Sequence, residues 1–350
     1  MKLRRYVFSA CFLAGLFCLS FVFQEVAAQQ RPHYTQYIFN NYVLNPALSG
    51  IENYTDVKLS HRHQWAGIDG TPVTTYLTIQ GPLGKKDYRT NATSFAVPGE
   101  NPRGKAYWES YTVPEPHHGI GLQVVNDRTG PLNRFSAQAT YAYHLGLTPA
   151  LALSAGFGAG VSNTSLNRSK LDFVNTVVDP AVYGNGALNN VRPDLSAGVW
   201  LYGANFFAGL SAQQVIPQAL RFSEADNTVT TEEGKLVPHL FFTTGYRFFL
   251  SDDVSALPSI MAKYVQPASV QADLNIKLQY RDLLWAGGGF RTGNGWQAMV
   301  GVNISNTFNI GYAYDHTNTL LSTVSRGTHE FMLGFLIGNR YGDWCPRNVW

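Results

Sequence analysis

The chain has 350 residues, a formal net charge of +3, only 14% charged residues and 13% aromatic ones. The excess of base belongs to the N-terminus, where Lys2, Arg4 and Arg5 stand against Glu25, so the remainder is close to neutral and gives no reason to expect a nucleic-acid partner. Two of the three cysteines, Cys11 and Cys18, lie in the same leader, and Cys345 alone excludes a disulfide framework or a cysteine-based metal site.

Lys2, Arg4 and Arg5 open a basic start, residues 7–22 are almost wholly apolar, and Ala27-Ala28 precede Gln29-Gln30. This is the layout of a secretory signal peptide spanning residues 1–28, with cleavage after Ala28. No later stretch is apolar and long enough to span a bilayer as a helix. Residues 29–52 follow as a Tyr- and Asn-rich segment, periplasmic or lumenal, that Asn45-Pro46 punctuates. It either contacts a partner or leads into the first strand.

From residue 53 to residue 338 the pattern has a period of two. It is clearest at 270–280, where Val270, Ala272, Leu274, Ile276, Leu278 and Tyr280 alternate with Gln271, Asp273, Asn275, Lys277 and Gln279. Strict alternation marks a strand with two unlike faces. About fourteen such runs recur, near 54–65, 72–82, 118–127, 132–146, 150–163, 193–202, 204–215, 237–250, 253–266, 269–280, 283–291, 295–304, 308–315 and 327–338. A β-sandwich would need a second sheet against each apolar face and would show more charge. Strands apolar on one side and hydrophilic on the other suit lipid outside and a polar lumen inside. The expectation is therefore an all-β chain: a transmembrane antiparallel up-and-down β-barrel of the outer-membrane type, in contact with outer-membrane lipid. With the first strand running outward, the periplasmic turns are very short, near 146–149, 202–205, 250–253, 281–283 and 305–307. The alternate connections include the long ones, 164–192, 216–236 and 316–326. Residues 83–117 break this rule as a long insertion on the periplasmic side, and 339–350 form a C-terminal tail.

On the first strand Asp56, Lys58, Arg62 and Gln64 share parity, which places them in the lumen, where they can join a polar network with Asp273, Asn275 and Lys277. Asp273 and Lys277 are expected to partner each other. Trp65 at the strand end suits an interfacial aromatic girdle. Asp315, His329 and Glu330 flank the last outer loop. His61, His63 and His117-His118 have no metal-ligand spacing, no nucleophile elbow of the G-x-S-x-G type exists, and Gly287–Gly289 follow strand logic rather than a phosphate loop. The reading is of a non-enzyme with no catalytic residues, cofactor or metal.

Several segments together resemble the PorP/SprF family of type IX secretion system membrane proteins. They are Gln36-Tyr37-Ile38-Phe39-Asn40, Asn45-Pro46-Ala47 and Gly50, then Arg62, Gln64-Trp65, Gly67, Gly70, Pro72, Thr74 and Gly81-Pro82-Leu83. Further on come Pro258-Ser259, Lys263-Tyr264-Val265, Gln271, Asp273, Asn275, Tyr280, Asp282, Trp285, Gly287 and Arg291. Gly311-Tyr312, Tyr314-Asp315, Ser325, Gly327, His329 and Glu330 close the set, while 83–117 and 164–192 match little. The resemblance implies a barrel that works with other type IX secretion components. It binds the C-terminal signal domain of a secreted adhesin and helps export it or anchor it at the cell surface, as gliding adhesins require. The elaborated outer loops favour the SprF-like role over the core PorP-like one, which docks to the periplasmic ring. A passive porin is the rival. The residues expected to contact the partner are Arg62, Gln64, Trp65 and Asp69 from the first hairpin, and Asp315, Ser325, His329 and Glu330 from the last. The first and last strands meet at barrel closure, which brings the two groups together.

Overall fold

The computed structural model describes residues 34–85, 113–167, 170, 189–220, 234–266, 270–281, 283–305 and 307–339. The expected signal peptide, residues 29–33, most of the 83–117 insertion and all but the first residue of the 339–350 tail lie outside them.

Fourteen strands form the wall. They are β1 (Thr55–His63), β2 (Val73–Leu83), β3 (His117–Thr129), β4 (Leu132–Thr148), β5 (Leu151–Leu166), β6 (Asn189–Gly203) and β7 (Phe206–Gln213). The second half comprises β8 (His239–Tyr246), β9 (Val254–Val265), β10 (Gln271–Tyr280), β11 (Leu284–Arg291), β12 (Gly295–Asn303), β13 (Phe308–Thr317) and β14 (Thr328–Ile337). Each strand pairs antiparallel with its sequence neighbours, and β1 pairs with β14, so the sheet is a closed barrel without an edge. Closure is what allows strands to cross lipid, since every backbone group in the wall finds a partner within it.

The inside-out pattern follows the alternation. Leu274, Ile276 and Leu278 of β10 face outward and are exposed, while Asp273, Asn275 and Lys277 face inward and are buried. The fourteen expected strands coincide with the observed ones to within a few residues. The largest difference is at 237–250, where β8 ends at Tyr246 and the chain resumes pairing with β9 only at Phe248–Phe249. Arg247 interrupts the ladder because its N–H turns to Asn205 O, 2.6 Å away. A span needs about 9–11 tilted residues. β4, β5 and β6, at 17, 16 and 15 residues, exceed this, so this side of the wall projects past the bilayer.

Most of the lumen is filled by the chain itself. Residues 34–54 run from the long-loop end towards the short-turn end in three 3-10 turns, Gln36–Phe39, Asn41–Val43 and Pro46–Leu48. Such an irregular path leaves backbone groups unpaired, and buried ones need partners. Inward-facing side chains supply them. Gln123 and Gln213 Nε2 donate to Val43 O at 3.0 and 2.9 Å, Ser211 Oγ to Leu44 O at 2.7 Å, and His144 Nε2 to Ser49 O at 2.8 Å. Gly50 N donates to Gln80 Oε1 at 2.6 Å. Asn45 caps the third turn by accepting from Ala47 N, with Pro46 at the first helical position, and its Nδ2 donates to Val199 O and Leu210 O on the wall. Its role is therefore to seat the plug. Two apolar clusters complete the packing. One joins Tyr37, Val43 and Leu44 to Tyr76, Trp285 and Met299; the other joins Tyr42, Ala47 and Leu48 to Trp200, Tyr202 and Phe207.

The plug approaches the wall backbone so closely that several wall positions, Gly119 and Gly198 among them, leave no room for a side chain. A Cβ at Gly119 would stand 1.8 Å from Ser49 O, and one at Gly198 would stand 2.1 Å from Asn45 Oδ1. Gly119→Val is expected to lower the unfolding free energy of the detergent-solubilised barrel by about 1–3 kcal/mol through overpacking. A urea titration reads that loss, and added protease is expected to cut within residues 34–54 of the variant but not of the parent.

Candidate functional site: an internal charge chain beneath the outer rim

Arg62 comes from the end of β1, Asp315 from the end of β13 and Glu330 from the start of β14. The register puts Arg62 directly opposite Glu330 across the closing seam. Arg62 Nη2 lies 2.8 Å from Asp315 Oδ2, and Nη1 lies 3.1 Å from Glu330 Oε2. Thr35 of the plug joins both acids: its N–H donates to Glu330 Oε2 at 2.8 Å and its hydroxyl to Asp315 Oδ2 at 2.6 Å. Tyr76 OH and Ser60 Oγ donate to Glu330 Oε1 at 2.9 and 3.2 Å, and Gln36 Nε2 donates to Glu330 O at 2.7 Å.

The cluster continues round the lumen. Arg291 Nη1 stands 3.7 Å from Asp315 Oδ2, and its Nε donates to both oxygens of Asp273 at 3.0 and 2.8 Å. Glu330, Arg62, Asp315, Arg291 and Asp273 thus alternate in sign, which is how buried charges persist. Asn275 extends the chain, donating to Tyr37 OH of the plug and accepting from Gln297 Nε2.

The expected lumen network is accordingly rewired. Asp273 does not partner Lys277. Four residues of strand separate them by about 13 Å, whereas Arg291 faces Asp273 across the β10–β11 pair. Lys277 instead lies 5.1 Å above the Phe39 ring. Asp56 and Lys58, two apart and on one face, pair with each other at 2.5 Å. Gln64 lies beyond the end of β1, half-buried, with its N–H donating to Pro72 O. Sequence reading missed Thr35, Tyr76 and Arg291 as members. For Arg291 a signal existed. The short turn between Tyr280 and Leu284 fixes the hairpin register, and that register makes Arg291 the cross-strand partner of Asp273.

The expected rim residues divide into two layers. Arg62, Asp315 and Glu330 are 1%, 3% and 0% exposed, so a partner at the rim does not reach them. Strand parity turns them inward and the plug covers them. Above them lie Gln64, Trp65, Ser325 and His329, all half-buried, and Asp69, exposed. The first and last outer loops are joined: Ala66 N donates to Gly327 O and Arg326 N to Ala66 O, both at 2.8 Å, and Trp65 N donates to Thr328 Oγ1 at 3.1 Å. Trp65 adopts a left-handed φ of 50°, a conformation a bulky residue holds only when its surroundings impose it. His329 Nδ1 is 2.7 Å from Tyr312 OH. At the tip of the last loop Leu320 and Val324 are 90% and 63% exposed.

Compared with known families, residues 26–335 match the model described as type IX secretion system membrane protein PorP/SprF. The chain belongs to this family. The PorP/SprF match spans the plug, the charge chain and the joined outer loops. The family is one of secretion-system membrane proteins and not of enzymes. No curated protein matches the chain in sequence. Among solved structures, this PorP/SprF protein is similar to the Ralstonia pickettii toluene transporter TbuX (10% identity, TM-score 0.48, covering 84% of this chain and 92% of that one). It is also similar to the Acinetobacter baumannii outer membrane protein Omp33 (10% identity, TM-score 0.44, 83% and 100%) and to the Pseudomonas putida toluene transporter TodX (11% identity, TM-score 0.43, 88% and 93%).

Removing Arg62 would leave two buried carboxylates facing each other. Arg62→Ala is expected to cost about 3–5 kcal/mol of stability, whereas Asp69→Asn, at the exposed rim, is expected to change it by under ~0.5 kcal/mol. Urea unfolding midpoints of the two variants provide the check.

Proposed function

We propose that this PorP/SprF barrel binds the C-terminal signal domain of a secreted adhesin at its outer rim and helps export it or hold it at the cell surface. The observation that carries the reading is the rim itself. Two outer loops are fastened together over a buried charge chain; one presents an apolar tip, Leu320 and Val324, next to Ser325, and the other carries Gln64, Trp65 and Asp69. Exposed apolar side chains rimmed by polar ones are the usual anatomy of a protein-binding patch. In this reading Arg62, Asp315 and Glu330 are positioning residues that hold the loops from below. His329 steadies the strand that delivers the last loop. The filled lumen supports docking over passive conduction, because residues 34–54 occupy the space a solute would cross. No covalent step is needed; loop contacts and strand addition by the client suffice. This is the SprF-like role. It also implies association with other type IX secretion components and a signal peptide removed near Ala28.

Affinity purification of the full chain from native membranes, followed by mass spectrometry, is expected to recover a protein with a type IX C-terminal domain. The Leu320→Ser/Val324→Ser variant is expected to recover about tenfold less, the scale set by ~1.4 kcal/mol of lost contact, with an unchanged urea midpoint. Equal recovery by parent and variant would sink the rim assignment. A large, steady open-pore current from the purified protein in planar bilayers would sink the docking reading in favour of a porin.

A further inference from the structure

At the short-turn end the plug stops short of filling the lumen. A cavity of about 110 Å³ lies there, between plug residues such as Asn41 and Glu52 and the wall at Asp56, Lys277 and Asn309. One water needs roughly 10–15 Å³ on this scale, so the space admits a group of several heavy atoms.

Lys277 reaches this cavity from β10 and is 6% exposed. Its ammonium rests over Phe39, which stacks on Trp285. Among the described residues it has no hydrogen bond and no ion pair, and the cations Arg247 and Lys58 oppose its charge. The other basic groups on the cavity wall are better placed. Lys58 has Asp56, and Arg281 has Asp253 at 3.2 Å. A buried ammonium without an ion partner is costly unless an anion joins it. Asn41, Asp56 and Asn309 line the same space, and each also holds a buried side-chain oxygen without a hydrogen bond among the described residues. Glu52 and Asp252 line the cavity too and act against a bare polyanion. The matching ligand carries one carboxylate together with N–H donors.

We infer that this cavity binds a carboxylate of a polypeptide entering from the periplasmic side, with Lys277 as its ion partner. The side chains of Asn41, Asp56 and Asn309 on the lining turn their unpartnered oxygens to the peptide's N–H groups on binding, and the Phe39–Trp285 stack forms the apolar wall. This site is separate from the outer rim and stands or falls independently of the rim's role.

The test uses the purified full-length barrel in detergent micelles and calorimetric titration with three probes. These are acetyl-Gly-Gly-Gly as the free acid, the same peptide as its C-terminal amide, and acetyl-Gly-Glu-Gly-amide. The free acid is expected to bind about tenfold more tightly than its amide, the usual scale for one charge-assisted contact. Lys277→Met is expected to erase that preference without lowering the urea midpoint, because it removes a like-charge contact, and Lys277→Arg is expected to keep it. Given the acid preference, tight binding of the glutamate peptide shows that the site also takes an acidic side chain, and weak binding confines it to a chain end; either supports the site. Equal binding of acid and amide, no binding of any probe, or a preference that survives Lys277→Met overturns it.

Discussion

The ion contacts of Arg62 tie together parts of the molecule that are otherwise unrelated. One guanidinium holds an acid from β13 and an acid from β14 while sitting on β1, so it spans the seam at which the barrel closes. Both acids also take hydrogen bonds from Thr35, which fixes the upper end of the plug. The outer loops leave β1 and enter β14 within a few residues of this point. Seam, plug and rim therefore share one set of buried charges. A buried ion pair is weak evidence for stability in general. Here its value is geometric, since five alternating charges fit only one arrangement of these strands.

Much of the wall was legible in the sequence, because the lipid and the lumen impose opposite chemistry on successive residues. Residues 270–280 show this most plainly, and β10 lies where the alternation places it. The break at Arg247 was not legible, since it depends on a backbone hydrogen bond from a neighbouring turn. Parity put Asp56, Lys58, Asp273, Asn275 and Lys277 inside. It could not say which of them touch, because charge pairing across a barrel depends on register and not on spacing along one strand. Asp273 found Arg291, and Lys277 found an aromatic ring. The division of the rim residues into a buried and a displayed layer was also hidden. That division follows from the plug, whose path has no periodic pattern to announce it.

The plug changes what the inner face is for. In an open channel, inward glutamines, serines and histidines meet water. Here Gln123, Gln213, Ser211 and His144 meet the carbonyls of an irregular buried chain and satisfy them one by one. The wall's polar face thus acts as a fixed solvent shaped to one segment. Membership of a secretion family accords with a barrel whose interior is largely committed to its own chain.

The direction of the plug carries a consequence for assembly. Tyr34 lies at the long-loop end and Tyr54 at the other, with β1 beginning at the next residue and running back beside it. The segment is synthesised before any strand, yet two of the acceptors that lock its upper end, Asp315 and Glu330, belong to β13 and β14, the last two strands of the wall. Insertion after closure would require pulling an irregular, hydrogen-bonded chain lengthwise through a packed lumen. Wrapping the sheet around it avoids that motion. The earliest part of the folded chain thus becomes the mould on which the cylinder forms, and the final strand pairing seals both at one stroke.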